Sequence, residues 1–114
     1  MSNPSKQRGT AWETGLVKYL REQGLDAERL RQTGKNDEGD IALRVDSRYI
    51  LEAKATARIN LAGWIAEAEL EADNYGKHRG IETPGFVVAY KRRNHSTGQS
   101  YIITTLDEWL RQIA

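Results

Sequence analysis

The spacing of apolar positions along the chain changes between helical and strand-like, and its first stretch predicts a helix. Apolar residues recur every three or four positions between residues 12 and 20, which is the spacing of one helix face. Thr10, with Glu13 three positions later, has the form of a capping box, and Gly24 is a typical stop. We therefore predict a helix over about 10–23, preceded by a flexible arm at residues 1–9.

Three strands are predicted next. Residues 26–33 form a polar, strand-like stretch, and the composition of residues 34–39 is typical of a loop. Residues 40–45 alternate apolar and polar side chains, which predicts a half-buried strand. A tight turn at 46–48 leads to another strand at 49–55, so these two strands should form a hairpin.

The second half of the chain predicts a helix, two strands and a last helix. Asn60 can cap the first of these helices, whose acidic residues should mostly face solvent or a partner. Strands are predicted at 85–90 and 101–104, and a capping box at Thr105 opens the last helix. The core stripe of the first helix is predicted to be Leu61, Trp64, Ile65, Ala68, Ala72 and Tyr75, and the inward face of the last helix Leu106, Trp109, Leu110 and Ile113.

The predicted order of elements is αβββαββα, which favours a layered α/β fold with a mixed sheet flanked by helices. A chain of 114 residues is long enough for one hydrophobic core, so we expect a single domain over residues 10–114.

Composition narrows the chemistry. The sequence has no apolar run of membrane-spanning length and its first residues do not resemble a signal peptide, so we expect a cytoplasmic protein without a membrane partner. It contains no cysteine and two histidines, which excludes disulfides, thiolate metal sites and a His-rich zinc site. A bound metal would need oxygen ligands, which favours Mg²⁺ or a similar hard cation.

Three charged residues are predicted to meet at the open end of the hairpin. Glu52 and Lys54 are two positions apart on one strand and therefore share a face. A turn centred on Ser47 would align Asp40, on the neighbouring strand, with Lys54. Two carboxylates in a partly buried position invite a cation to neutralise them.

Such a group suits phosphodiester hydrolysis. Asp40 and Glu52 would hold a divalent ion, with the Ala53 carbonyl as a further ligand, and Lys54 would orient the attacking water or offset charge on the phosphate. The structural alternative places Asp40 in a turn and makes Glu52 and Lys54 a cross-strand ion pair, and Glu-x-Lys alone does not decide between the two.

Order and spacing add a resemblance. Gly39-Asp40 is followed, after eleven intervening residues, by Glu52-Ala53-Lys54, and this arrangement resembles the PD-(D/E)XK nuclease superfamily, with Gly39 in place of the proline that names the motif. Residues 8–13, which carry a helical Glu, and residues 24–34 are similar to the archaeal-type Holliday junction resolvases within it. The motifs cover roughly residues 8–55, and the later elements fit the family's core.

This resemblance implies a restriction-endonuclease-like core and a homodimeric endonuclease that cuts branched DNA such as a four-way junction, using Mg²⁺ with Mn²⁺ as a substitute. Asp40 and Glu52 would be metal ligands and Lys54 catalytic, Glu13 an additional catalytic acid near the metal, and Arg8 a phosphate contact. Two symmetric cuts need two sites related by a two-fold axis, and we expect apolar residues of the second or last helix to form the dimer surface.

Glu13 also has a simpler interpretation. It can complete the cap begun by Thr10. Leu16, Val17 and Leu20 place it on the inward stripe of the helix, however, and an inward acid needs a partner that a metal site could supply.

Basic residues occur in clusters that either bind DNA phosphates or belong to solvated loops. Such contacts contribute affinity without sequence specificity. In addition to Arg8, the candidates are Lys35, Arg58, Lys77, Arg79, Arg92 and Arg93.

The sequence therefore predicts a metal-dependent DNA endonuclease, most simply a Holliday junction resolvase acting in DNA recombination and repair, and its compact size is compatible with a phage-encoded enzyme. The alternatives are a nicking or repair-type endonuclease on duplex or single-stranded DNA, a catalytically inactive DNA-binding protein of the same fold, and a small protein–protein module that uses the acidic helix.

Overall fold

A computed structural model describes residues 4–31 and 37–114 of the chain. The described strands form one mixed sheet, in chain order from edge to edge. They are β1 (Asp26–Arg29), β2 (Ile41–Arg44), β3 (Arg48–Lys54), β4 (Gly85–Tyr90) and β5 (Tyr101–Ile103). The helices are α1 (Pro4–Glu22), α2 (Leu61–Arg79) and α3 (Leu106–Ile113), with a 3-10 turn at Thr97–Gln99. The predicted α/β order of helices and strands is confirmed.

The centre of the sheet is a parallel pair connected by a helix. β3 and β4 run parallel, whereas the other neighbouring strands are antiparallel. Parallel neighbours require a long crossover, and α2 provides it. This helix begins as predicted, because the Asn60 side chain accepts a hydrogen bond from the Gly63 N–H at 3.2 Å, and it ends at Gly80, which adopts a left-handed conformation.

Helices cover the two faces of the sheet, and each interface has its own hydrophobic cluster. Alternation along β3 divides its side chains between them: Leu51 faces α1, and Ile50 faces α2. Around α1 the buried residues are Trp12, Leu16, Val17, Ala27, Ile41, Leu51, Val87 and Ala89. Around α2 they are Ala42, Ile50, Trp64, Ala68, Ala72, Tyr75, Phe86 and Val88. The domain is thus a three-layer α/β/α arrangement.

The first helix begins earlier than the sequence predicts. It starts at Pro4 and continues unbroken to Glu22, so residues 4–9 are helical and are not part of a flexible arm. Proline suits a first helical turn, because its fixed φ is helical and its missing N–H needs no partner there. Thr10 and Glu13 consequently lie inside the helix, and the interpretation of Glu13 as a capping residue is wrong.

The last helix is also oriented differently from the prediction. Thr105 caps α3 as predicted, accepting a hydrogen bond from the Glu108 N–H at 3.1 Å. Its apolar stripe, however, faces outward: Leu106 is 67% exposed and Trp109 51%. Glu108, at 6%, is the residue that α3 buries. Periodicity identifies an apolar stripe, but it does not say whether this chain covers it.

Smaller differences concern the ends of elements. β1 ends at Arg29, so residues 30 and 31 of the predicted strand are outside it, and residues 32 and 33 lie outside the described residues. Leu61 is exposed at the start of α2 although the sequence assigned it to the core. Among the described residues, no helix combines the length and the apolar character needed to cross a bilayer.

Candidate active site

Asp40, Glu52 and Lys54 do meet at the hairpin, on the face of the sheet that α2 covers. Ile41 pairs with Leu51, which places Asp40 level with Glu52. The backbone N–H of Asp40 donates to the Leu51 carbonyl at 3.2 Å, and one oxygen of the Asp40 carboxylate accepts a hydrogen bond from the Ala53 N–H at 2.8 Å. The Lys54 Nζ lies 3.5 Å from a Glu52 carboxylate oxygen.

The predicted pairing of Asp40 with Lys54 is wrong by two positions. Arg44 pairs with Arg48 across the turn, so the turn is centred on Asp46 and not on Ser47. Because side chains alternate along a strand, a shift of two positions leaves every side chain on its original face. The three charged side chains therefore lie on one face of the hairpin, although the predicted register was wrong.

The backbone conformation at Gly39 excludes a proline at this position. Its φ of +95° lies in the left-handed region, which proline, restricted to a φ near −65°, does not reach. A Cβ atom at this position would also lie 2.5 Å from Cγ2 of Ile50. Glycine therefore allows both the backbone conformation before β2 and the close approach to the Ile50 side chain.

Two further carboxylates from α2 complete the group, and the sequence analysis missed both. Glu67 and Glu71 extend from the helix toward Glu52, and one oxygen of each of these three glutamates lies within 4.8 Å of the others. Lys54 Nζ also lies 3.3 Å from Glu67. Glu71 is 2% exposed. The signal was present in the spacing, since Trp64, Ala68, Glu71 and Tyr75 form one helical stripe.

Burial and mutual repulsion raise the pKa of two of these acids. The pKa of Glu52 lies well above its usual range because of burial and the neighbouring Asp40 and Glu67. Burial raises the pKa of Glu71 to about 8, and the charges of Asp37, Glu67 and Asp40 add to the shift. Contact with Glu52 and Lys54 lowers the pKa of Glu67.

Lys54 remains a cation in this environment. Burial alone would lower the pKa of its ammonium group, but the negative charges of Glu52 and Glu67 outweigh that effect and raise the pKa above its ordinary value. The side chain is therefore suited to donating hydrogen bonds to an anion and not to accepting a proton.

The donor set fits a hard divalent cation. All ligand candidates are carboxylate oxygens, the type that Mg²⁺ and Mn²⁺ prefer. Oε1 of Glu52 and both carboxylate oxygens of Glu71 are buried without a hydrogen-bond partner among the described residues. Buried acids in that condition are costly unless a proton or a cation neutralises them.

Glu13 lies on the α1 side, outside the group of three glutamates. Its carboxylate forms an ion pair with Arg29 at 3.0 Å. Burial raises the pKa of Glu13, and the negative charge of Asp40 adds to the effect, so the two acids interact electrostatically. Its role as an additional acid near the metal remains a prediction, as does the role of the Ala53 carbonyl as a ligand.

The described candidates for phosphate contacts lie in three parts of the structure. Arg58, Arg92 and Arg93 follow the carboxyl ends of the parallel strands β3 and β4, the end that carries Lys54. Lys77 and Arg79 lie at the far end of α2. Arg8 is exposed on α1.

Arg79 and Lys35 differ from the other candidates for phosphate contacts. Arg79 forms an ion pair with Glu38 and stacks on the Tyr75 ring at 3.6 Å, so it already has an intramolecular anion partner. Lys35 lies outside the described residues. None of these contacts is tested by the geometry, and they remain predictions.

Comparison with known proteins supports the fold. No protein-family model and no curated protein matches the sequence. Among solved structures, the chain is similar to Hjc, a Holliday junction resolvase from the archaeal hyperthermophile Archaeoglobus fulgidus, with a TM-score of 0.54 and 20% sequence identity. The match covers 77% of this chain and 72% of that one. At this identity the likeness establishes a shared fold, the α/β architecture predicted from the sequence.

Proposed function

We propose that this chain is a metal-dependent DNA endonuclease that hydrolyses phosphodiester bonds, with branched DNA as its substrate. The observation that carries the proposal is the convergence of Asp40, Glu52 and Lys54 on one face of the β2–β3 hairpin, two acids and one amine from neighbouring strands. The order and spacing that resemble the PD-(D/E)XK nucleases involve the same three residues.

The acids and the lysine of this site would have different roles in the reaction. Asp40 and Glu52 would hold the cation, which when bound polarises a phosphate oxygen and lowers the pKa of a bound water. The hydrogen bond from the Ala53 N–H fixes the orientation of the Asp40 carboxylate. Lys54, kept protonated by Glu52 and Glu67, would donate to the phosphate and stabilise the charge that develops in the transition state.

Branched DNA as the substrate is supported by two features. The fold is shared with a protein described as a Holliday junction resolvase. Arg58, Arg92 and Arg93 follow the strand ends beside Lys54, where they would bind the phosphates of an arm adjoining the scissile bond. Contacts of this type do not read base sequence, which suits an enzyme that recognises shape.

We further propose that the enzyme is a homodimer joined through α3. Two cuts placed symmetrically on a junction require two sites related by a two-fold axis. The exposed apolar residues near the edge of the sheet are Ile102, Leu106, Trp109, Leu110 and Ile113. Asp107 lies near the start of α3 and Arg111 near its end, so two antiparallel copies of this helix would place opposite charges together.

The dimer is tested by sedimentation velocity on Trp109→Glu, with Leu70→Glu as the matched control. Leu70 is 60% exposed on α2, so both variants place a charge at an exposed apolar position. Wild type and Leu70→Glu should sediment as dimers and Trp109→Glu as a folded monomer. A monomeric wild type, or dissociation by the Leu70 variant alone, contradicts the proposed interface.

The activity is tested by cleavage of a four-way junction, its matched linear duplex and the single strands, with Mg²⁺ and with EDTA. We expect junction cleavage that requires Mg²⁺ and is lost in Asp40→Asn and Lys54→Ala. Asp46→Asn, in the exposed hairpin turn, and Lys18→Ala, on the surface of α1, are the matched controls and should cleave normally.

The rival interpretations give other outcomes in the same assay. Equal cleavage of the linear duplex would assign a nicking or repair-type substrate. Salt-sensitive DNA binding without cleavage would favour an inactive DNA-binding protein. The absence of any salt-sensitive DNA affinity would favour a protein–protein module that uses the acidic helix.

A further inference from the structure

The space between β3 and α2 contains acids that the proposed reaction does not need. Asp40 and Glu52 suffice to hold one catalytic ion, yet Glu67 and Glu71 also converge on Glu52. Within the described part of the chain, Lys54 is the cation paired with Glu52 and Glu67 in this group. A buried group with such an excess of acids is unfavourable as a purely structural feature.

Glu71 is a deeply buried acid on α2. It is 2% exposed and lies in the middle of α2, on the stripe that packs against the sheet. Both of its carboxylate oxygens are inaccessible to solvent and lack a hydrogen-bond partner among the described residues. Glutamine or an apolar residue at this position would avoid the cost of burying an acid, so the carboxylate indicates a ligand.

The geometry suits one ion among the three glutamates. Two oxygens on opposite sides of one Mg²⁺ lie about 4.2 Å apart, twice the metal–oxygen bond length. One oxygen each of Glu52, Glu67 and Glu71 lies within 4.8 Å of the others, which is close to the span of one ion's ligands, so rotation of these side chains would bring all three oxygens to a shared ion. Asp40 does not belong to this group, since its carboxylate is turned to the Ala53 N–H.

We propose that Glu52, Glu67 and Glu71 form a divalent-cation site between β3 and α2, distinct from the Asp40–Glu52 position and sharing Glu52 with it. The inference rests on the proposed function for the identity of the ion, a hard divalent cation, but its geometry involves α2 residues outside the Asp-Glu-x-Lys motif. Such an ion would take the place of Lys54 at Glu67, and the ammonium group would then be free to face a phosphate.

The test is Mn²⁺ binding without nucleic acid, measured by titration calorimetry together with the thermal shift of the protein. Wild type should bind two Mn²⁺ per chain. Glu71→Gln and Glu67→Gln should each bind one Mn²⁺ as wild type does. Their affinity for a second Mn²⁺ should be at least tenfold lower, and Mn²⁺ should raise their Tm by less than it raises that of wild type. Glu69→Gln, an exposed acid on the same helix, is the matched control and should bind two.

The two proposals fail differently. Asp40→Asn should still bind Mn²⁺ at the site on α2. A wild-type protein that binds Mn²⁺ through Glu71 but cleaves no DNA would retain this site and contradict the proposed nuclease. Mn²⁺ binding that is unchanged in both Glu67→Gln and Glu71→Gln overturns the α2 site, whether wild type binds one ion or two and even if cleavage depends on Asp40. Glu67 is partly exposed, so its variant tests the site even if Glu71→Gln does not fold.

Discussion

Two buried glutamates on different helices have opposite surroundings. Glu108 on α3 is 6% exposed, and its carboxylate accepts hydrogen bonds from Arg111 and Gln112 at 2.9–3.2 Å. Glu71 on α2 is 2% exposed and has no hydrogen-bond partner among the described residues, while Glu52 and Glu67 lie beside it.

The difference separates a structural acid from a candidate ligand. Glu108 also lies in the first turn of α3, where the helix dipole favours a negative charge. Glu71 lies in the middle of its helix, and its negative charge meets other negative charges. A buried acid whose neighbours are donors contributes to stability, whereas one whose neighbours are acids must be neutralised by a proton or a cation.

Neutralising Glu52, which lies beside Glu71, should affect catalysis far more than neutralising Glu108. Glu52→Gln should reduce Mg²⁺-dependent junction cleavage at least ~100-fold, because it removes a shared ligand of the proposed ions. Glu108→Gln should leave cleavage per folded molecule within about twofold of wild type. Single-turnover rates, normalised by the folded fraction from circular dichroism, measure both. Equal losses would mean that the two acids do not differ in role.

The next effect is a pH dependence of metal-free stability. Unfolded Glu71 loses its proton near pH 4.5 and the folded group near pH 8, so between these values the folded state binds more protons than the unfolded state. The free energy of unfolding should therefore fall as the pH rises through this window, by about 1.4 kcal/mol for each pKa unit realised. Glu52 and Glu13, whose pKa values are also raised, contribute with the same sign.

Urea denaturation in EDTA from pH 5 to pH 8 measures this dependence. Glu71→Gln should flatten the curve and make the metal-free protein more stable than wild type near pH 8, whereas Glu108→Gln should keep the slope. A wild-type stability that rises over this window would contradict the assignment of Glu71 as a protonated, unpaired acid.

A smaller effect is expected when the paired acid is neutralised. Glu108→Gln weakens the charged hydrogen bonds to Arg111 and should lower the free energy of unfolding by about 1–3 kcal/mol. The measurement is urea denaturation at pH 7 in EDTA, where Glu71→Gln should change stability in the opposite direction. If Glu108→Gln is neutral or stabilising, the pairing seen on α3 does not compensate the cost of burial.

The smallest effect concerns the caps that begin the two helices. Asn60→Ala and Thr105→Ala each remove a side-chain acceptor from a helix N-terminus and should cost about 1 kcal/mol. Thr105→Ala should leave the affinity for Mn²⁺ unchanged, because α3 holds no proposed ligand. A loss of Mn²⁺ binding in this variant would show that α3 influences the site.

Part of the candidate site could be predicted because it depends on strand periodicity alone. Glu52 and Lys54 share a face at any register, and Asp40 joined them although the predicted pairing was two positions off. Glu67 and Glu71 were missed for a different reason. The acidic residues of α2 were expected mostly to face solvent or a partner, although Glu71 lies on the buried stripe of Trp64, Ala68 and Tyr75.

Local patterns predicted the order of helices and strands, the caps at Asn60 and Thr105, and the common face of the Asp40, Glu52 and Lys54 side chains, because local spacing and local hydrogen bonds govern these features. Two features depend on long-range packing: α2 brings Glu67 and Glu71 to Glu52, and α3 buries Glu108 while its apolar stripe faces outward. Those contacts join residues far apart in the chain, and the packing of helices on the sheet sets them.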